Sequence, residues 1–243
     1  MRILAGARTA VGLLTILPVR ARIEPDGVGA AAAWFPLVGA LVGLAAGAVR
    51  LGADHLFGAT VAAVLAVLVL VTLTGALHQD GLADVADAVG VRGGRERRLE
   101  VMRDSTLGTF GVLALIVWAL LLVAALSALP RDRAIDTLVI AAALGRWAAV
   151  VHAVAVPPAR PDGLGAAFSP RPAAILIATV LAAATIALDP VPAAAGLVAA
   201  ATTAGVTSAI AVRIVGGRTG DTLGATVALT EVVVCLVLLS LAR

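Results

Sequence analysis

The chain has 243 residues, is 61% hydrophobic and 14% charged, and has a mean hydropathy of +1.06. A water-soluble domain of this size needs far more polar surface, and several windows of about 20 apolar residues are each long enough to span ~30 Å of hydrocarbon as a helix. The net charge of +3 comes from dispersed arginines with no lysine, and aromatic residues are only 3%, so no stacking platform for nucleic acid is visible.

Residues 1–20, MRILAGARTAVGLLTILPVR, have the charge and short apolar core of a signal peptide. Pro18 and Arg20 follow the core where a cleavage site would need small residues, so the segment reads as a retained amphipathic or half-membrane helix. Spans are then expected over 30–49, 55–77, 109–129, 138–156, 173–188, 193–212 and 222–241, seven in all. The fifth has 16 residues and stops at Asp189-Pro190, which fits a tilted helix or one arm of a helical hairpin. Gly39, Gly43 and Gly47, four apart, suit close helix packing. The expected architecture is an all-α, polytopic integral membrane bundle of about seven transmembrane helices plus the N-terminal segment. It forms a single domain, 1–243, surrounded by membrane lipids, and the sequence leaves room for a homo-oligomer. Cys235, the only cysteine, lies in an apolar run and can form no intrachain disulfide.

Three polar connections separate these spans: 79–108, 157–172 and 213–221. With the N-terminal region they carry thirteen arginines, against Arg50, Arg131, Arg133 and Arg243 on the opposite side. The arginine-rich side is expected to face the cytoplasm.

The chemistry-bearing residues concentrate there. In HQDGLADVADAVG, residues 78–90, Asp80, Asp84 and Asp87 fall on one stripe of a helix. Three such carboxylates repel unless a cation neutralises them, and a hard divalent ion such as Mg²⁺ takes oxygen ligands and bridges phosphates. A cation-transport site, or pairing with nearby arginines, uses the same residues. Gly81 lets the chain turn or a substrate approach. Asp104, in MRDSTLGTFG, and Asp221, in GGRTGDTLGA, each precede a span. Each serves as a helix cap or as a further site residue, and Ser105 and Thr106 can cap the helix after them. The glycines around Asp221, Gly217 and Gly220 among them, make a compact turn whose amides can face an anion. Arg146 sits inside a predicted span and wants a carboxylate or a phosphate, and Arg160 stands beside the PDGLG turn. His78 is an interfacial hydrogen-bonding residue or a proton acceptor, and Glu231 lies well inside the last span.

HQDGLADVADAVG followed by RERRLEVMRDSTLGTFGVLAL closely resembles the cobalamin synthase family, the adenosylcobinamide-GDP ribazoletransferases. GRWAAV, ARPDGLGAAF and GGRTGDTLGA resemble further family segments in the same order, so the likeness covers nearly the whole chain. It implies a Mg²⁺-dependent transferase of the cytoplasmic (inner) membrane, its active-site loops facing the cytoplasm. The implied reaction moves the adenosylcobinamide phosphate moiety from adenosylcobinamide-GDP to α-ribazole or α-ribazole 5′-phosphate. GMP leaves, and adenosylcobalamin or its 5′-phosphate forms. Asp80, Asp84 and Asp87 match the family's acidic motif and would hold the metal, with Asp104 and Asp221 matching two more motifs. His78 or one of the aspartates would take the acceptor's proton, while Arg146, Arg160 and the Gly217–Gly220 turn would bind substrate phosphates. The chain departs from the family at Gln79, usually aliphatic, and at Val227-Ala228, commonly Asn-Glu. A transporter is disfavoured because the ionisable groups cluster on one face, not along a path through the bilayer. A lipid-head-group phosphotransferase is disfavoured because its usual DGxxAR element is missing.

Overall fold

The computed structural model describes residues 2–19 and 25–242. Arg20, Arg22 and Arg243, counted in the arginine bias, lie outside the described residues. The fold is all-α: α1 is Arg2–Leu14, α2 Pro25–Ala31, α3 Phe35–Thr74, α4 Leu77–Gly90, α5 Arg95–Val101 and α6 Thr109–Ala128. α7 is Ala134–Ala155, α8 Leu164–Ala167, α9 Pro172–Ala184, α10 Pro190–Val215 and α11 Gly220–Leu241. Among the described residues there is no strand, only one isolated bridge between Pro158 and Arg218.

Among the described residues, five helical stretches are long and apolar enough to cross a membrane. The first, Gly27–Thr74, has 48 residues and joins the expected span 30–49 to most of the expected span 55–77 in one piece. A straight helix as long as α3 would measure about 60 Å. Instead Phe35 at its start and Leu77 just past its end line the same cavity, so α3 folds back on itself. The reversal is at Gly58, whose φ of 76° and ψ of 170° interrupt the helix in a region where a side chain is strained. The sequence places the break between these two spans at 50–54, around Arg50 and Asp54; the helix runs through that stretch and turns a few residues later, at Gly58.

The expected span over 173–188 is α9 plus a 3-10 turn, Thr185–Ala187, shorter than the other spanning stretches. It nevertheless runs from one end of the bundle to the other. Ser169, just before it, packs on Gly29, whereas Asp189, just after it, pairs with Arg133. α9 and α10 therefore each traverse the bundle. The connections 79–108, 157–172 and 213–221 consequently gather at one end, and Arg50, Arg131 and Arg133 lie at the other.

α3 and α7 form the tightest seam. A Cβ on Gly39 would sit 2.3 Å from the Ala142 carbonyl oxygen, and one on Gly43 2.2 Å from that of Leu138. The small-residue row thus lets two backbones meet, which is the main source of helix association where lipid removes the hydrophobic drive. At the far end the buried Arg50 donates from Nε to the Leu126 carbonyl (3.2 Å) and pairs with Asp54.

Candidate active site

α4 is the helix that carries the acidic stripe, and its placement depends on one small residue. A Cβ on Gly81 would lie 2.6 Å from the Asp221 carbonyl oxygen, so only glycine lets α4 rest this closely on the start of α11. The contact brings Asp80 and Asp84 beside Asp221. Asp80, Asp84, Asp104 and Asp221 line one open cavity, with Gln79 and Met102 also in its wall. The sequence separates the first and last of these aspartates by 141 positions, from 80 to 221.

Asp84 carries the electrostatic consequence. Partial burial, and then the carboxylates of Asp221, Asp80 and Asp87, push its pKa up to about 7. Asp104 is held the other way. The Thr106 amide donates to its Oδ1 at 3.0 Å and keeps its carboxyl below the usual range.

Asp87, expected as the third metal ligand, has a different engagement. Its Oδ2 accepts from the Gly108 amide at 2.8 Å and its Oδ1 from the Gly111 amide at 2.9 Å. These are orphan amides at the N-terminus of α6, whose positive dipole end favours a carboxylate. Gly108 itself is the N-cap, without a side-chain bond, so Ser105 and Thr106 do not cap α6 as expected. Likewise Asp221 is not the cap of α11. Thr219 is, in a capping box with Thr222, and the Thr219 hydroxyl also donates to Asp221 Oδ2 at 3.2 Å.

A second cavity lies on the other side of the same carboxylates. Asp80 and Asp221 belong to both cavities. The second is lined by Phe35, His78, Arg146, Arg160, Phe168 and Gly220 among others. His78 is buried with no partner on Nδ1. Burial, and then the Arg146 guanidinium, hold its pKa well below the ordinary value, so the ring is neutral. Arg146 ion-pairs with Glu231 of α11 and donates to the Ala142 carbonyl at 3.2 Å. The anion it wants is therefore in the protein already. Gly217, expected at an anion site, packs on backbone, where a Cβ would be 2.5 Å from the Pro157 oxygen.

Sequence reasoning passed over Arg218 as an ordinary arginine of the positive side. It is buried and donates from Nε to the Gly165 carbonyl (2.9 Å) and from Nη2 to that of Phe168 (3.1 Å). A further bond goes to Val156. Its backbone joins the same loop, the amide donating to Pro157 O at 2.8 Å and the carbonyl accepting from Ala159 N at 2.9 Å. Arg218 thus clamps 157–169 onto the turn before α11 and shapes the mouth of the second cavity. Arg218→Met should leave several buried carbonyls unpaired and cost about 3 kcal/mol or more. A clear fall of the unfolding midpoint in lipid nanodiscs checks this; an unchanged midpoint contradicts it.

The profile of the cobalamin-5-phosphate synthase family matches residues 6–239. The chain belongs to the cobalamin-5-phosphate synthase family. A Bradyrhizobium diazoefficiens relative, named adenosylcobinamide-GDP ribazoletransferase, is 41% identical over 97% of this chain and 93% of its own length. Relatives of the same name from Azorhizobium caulinodans and Roseiflexus sp. are 39% and 40% identical, covering 100% and 92% of the chain and 98% and 85% of their own lengths. No solved structure matches. As a family member the chain is a transferase of cobalamin biosynthesis with membrane-type helices. Among its departures from the family pattern, Val227 faces the second cavity. Ala228 accepts the Trp118 indole N–H on its carbonyl at 3.1 Å.

Among the described residues, no three His, Cys, Asp or Glu side chains form a ready metal cage. The donor set still fits Mg²⁺. It is made of carboxylate oxygens around one open cavity, and Mg²⁺ characteristically keeps several waters and takes one or two carboxylates plus substrate phosphates.

Proposed function

We propose that the whole chain is one catalytic unit that transfers adenosylcobinamide phosphate from adenosylcobinamide-GDP to α-ribazole or its 5′-phosphate, with release of GMP. The observation that supports this reading best is the carboxylate wall shared by two cavities: reactants lying on either side of Asp80 and Asp221 meet at one place. Asp80, Asp84 and Asp221 would hold Mg²⁺. Asp87, occupied by α6, fixes the start of that helix and crowds Asp84. Bound there, Mg²⁺ would supply positive charge against the diphosphate and the departing GMP. Asp104, ionised on the same cavity wall, would orient groups in the open cavity.

A ribose hydroxyl of the acceptor forms the new P–O bond to the phosphorus next to the cobinamide, and the P–O bond to GMP breaks. For α-ribazole 5′-phosphate that hydroxyl is the 3′ one. Neutral His78, with Nδ1 free on the wall beside Asp80, would accept the hydroxyl's proton. The arginine-rich end that holds both cavities would face the cytoplasm, as the charge bias requires. The apolar helices fit a site held in the inner membrane.

The test is turnover in proteoliposomes with adenosylcobinamide-GDP and α-ribazole 5′-phosphate. GMP should appear in step with coupled corrinoid, only when Mg²⁺ is present. GMP without coupling would overturn the transfer.

The protonation of Asp84 adds a pH prediction. With a pKa near 7, the metal-free carboxyl holds its proton below neutrality and must lose it to bind a cation. Apparent Mg²⁺ affinity should therefore fall about tenfold per pH unit below ~7 and level off above ~8. Calorimetric titrations between pH 5.5 and 8.5 check this, and a flat profile contradicts it.

A further inference from the structure

The open cavity contains one polar group that the transfer itself leaves unused. Gln79 of α4 lines it beside Asp80 and Asp84, and Met102, Leu107 and Leu115 make the apolar part of the same wall. Gln79 is only 6% exposed, and among the described residues its Oε1 has no hydrogen-bond partner. A buried carbonyl oxygen left unpaired costs the protein stability, whereas an apolar side chain of similar shape in its place is neutral or better. The family pattern is usually aliphatic at this position. The polar group therefore has its use when the cavity is filled.

The last torsion of a glutamine side chain is soft, so the amide turns toward a ligand in the cavity without leaving its rotamer. It then presents an acceptor oxygen and a donor NH2 side by side, the pattern that pairs with another carboxamide. Gln79 immediately precedes Asp80, so such a partner lies close to a phosphate held at the carboxylate wall. The corrinoid reactant carries one there. Its phosphate sits on a short amino-alcohol arm, and an amide joins that arm to the corrin. The lactam of guanine is the other amide-like group of the same reactant, but it lies beyond a ribose from the diphosphate.

We propose that Gln79 is a specificity residue for the corrinoid: its side-chain amide pairs with the amide of the arm and holds the adjoining phosphate against Asp80. This inference rests on the ribazoletransferase reading and deepens it. The open cavity then takes the corrinoid end of the diphosphate, with the apolar wall of Met102, Leu107 and Leu115 beside the arm. An aliphatic residue at 79 leaves the arm to be placed by shape alone.

The experiment is calorimetric binding of adenosylcobinamide-GDP and of GDP to the full chain in nanodiscs, in Mg²⁺ buffer without acceptor, so that no turnover occurs. Wild type should bind the corrinoid more tightly than GDP. Gln79→Met, which keeps the length and removes the amide, should cut that preference about tenfold, as the loss of a buried hydrogen bond allows. Gln79→Glu keeps an acceptor oxygen at the same reach. Its added charge should weaken both ligands, but the ratio between them should stay closer to wild type than in Gln79→Met. The unfolding midpoint of ligand-free Gln79→Met should hold steady or rise; a fall would mean that the amide has its partner inside the protein, and the proposal would fail. An unchanged ratio in Gln79→Met overturns it, as does equal weakening of both ligands, which would put Gln79 on the diphosphate, the guanine or the metal's water. A ratio in Gln79→Glu as low as in Gln79→Met also overturns it. A wild type that binds GDP but shows no corrinoid preference overturns the proposal and leaves the transferase reading standing. A wild type that binds neither ligand overturns that reading itself.

Discussion

Replacing Asp84 with Asn should lower turnover on the order of 10³-fold while the helices still fold and insert. The change removes one charge and almost no volume. Asp84 is half-buried and crowded by Asp221, Asp80 and Asp87, so in the metal-free protein its loss relieves repulsion. The unfolding midpoint without metal should therefore hold steady or rise, the pattern expected where a site is built at the expense of stability. Asp87→Asn gives the contrasting case. Both Asp87 oxygens accept amides at the start of α6. An amide side chain can satisfy only one of them well, so about 1 kcal/mol of stability should be lost, with a smaller effect on turnover. Steady-state rates and midpoints measured on both variants separate the two roles. Asp84→Asn with near wild-type turnover would remove Asp84 from the site.

Glu231→Gln should be the most destabilising single change near the site, at about 3–5 kcal/mol. It leaves the Arg146 guanidinium buried between α7 and α11 without a counter-charge; both side chains are almost wholly buried. The double variant Arg146→Met/Glu231→Leu fills the same space with apolar groups and should recover most of the loss. Thermal unfolding in nanodiscs reads both. A Glu231→Gln protein as stable as wild type would mean that Arg146 draws on another anion.

The acidic stripe was legible because a helix converts sequence offsets of four and seven directly into one face. The seam of Gly39, Gly43 and Gly47 was legible for the same reason. What the stripe faces was not, because the meeting of α4 with α11 depends on a backbone contact at Gly81 across 140 positions. Asp87 misled because its partners, the amides of Gly108 and Gly111, are backbone groups that no residue pattern marks. Arg218 looked like any arginine of the positive side, since charge counts do not reveal that a side chain is buried among carbonyls. The two arms of the hairpin inside α3 were legible as separate apolar spans, but their turn was expected at 50–54, because a reversal that needs only one glycine, Gly58, leaves no polar loop to mark it. Family motifs supplied the reaction, and the shared carboxylate wall supplies a physical reason for it.

Mn²⁺ binding followed by electron paramagnetic resonance, in nanodiscs at pH 7.5 and with Mg²⁺ as competitor, tests the carboxylate wall most directly. Wild type should bind Mn²⁺ in a form that Mg²⁺ displaces, and Asp84→Asn and Asp221→Asn should each weaken that binding by at least about tenfold. Equal binding in wild type and both variants would contradict a metal site built between α4 and α11.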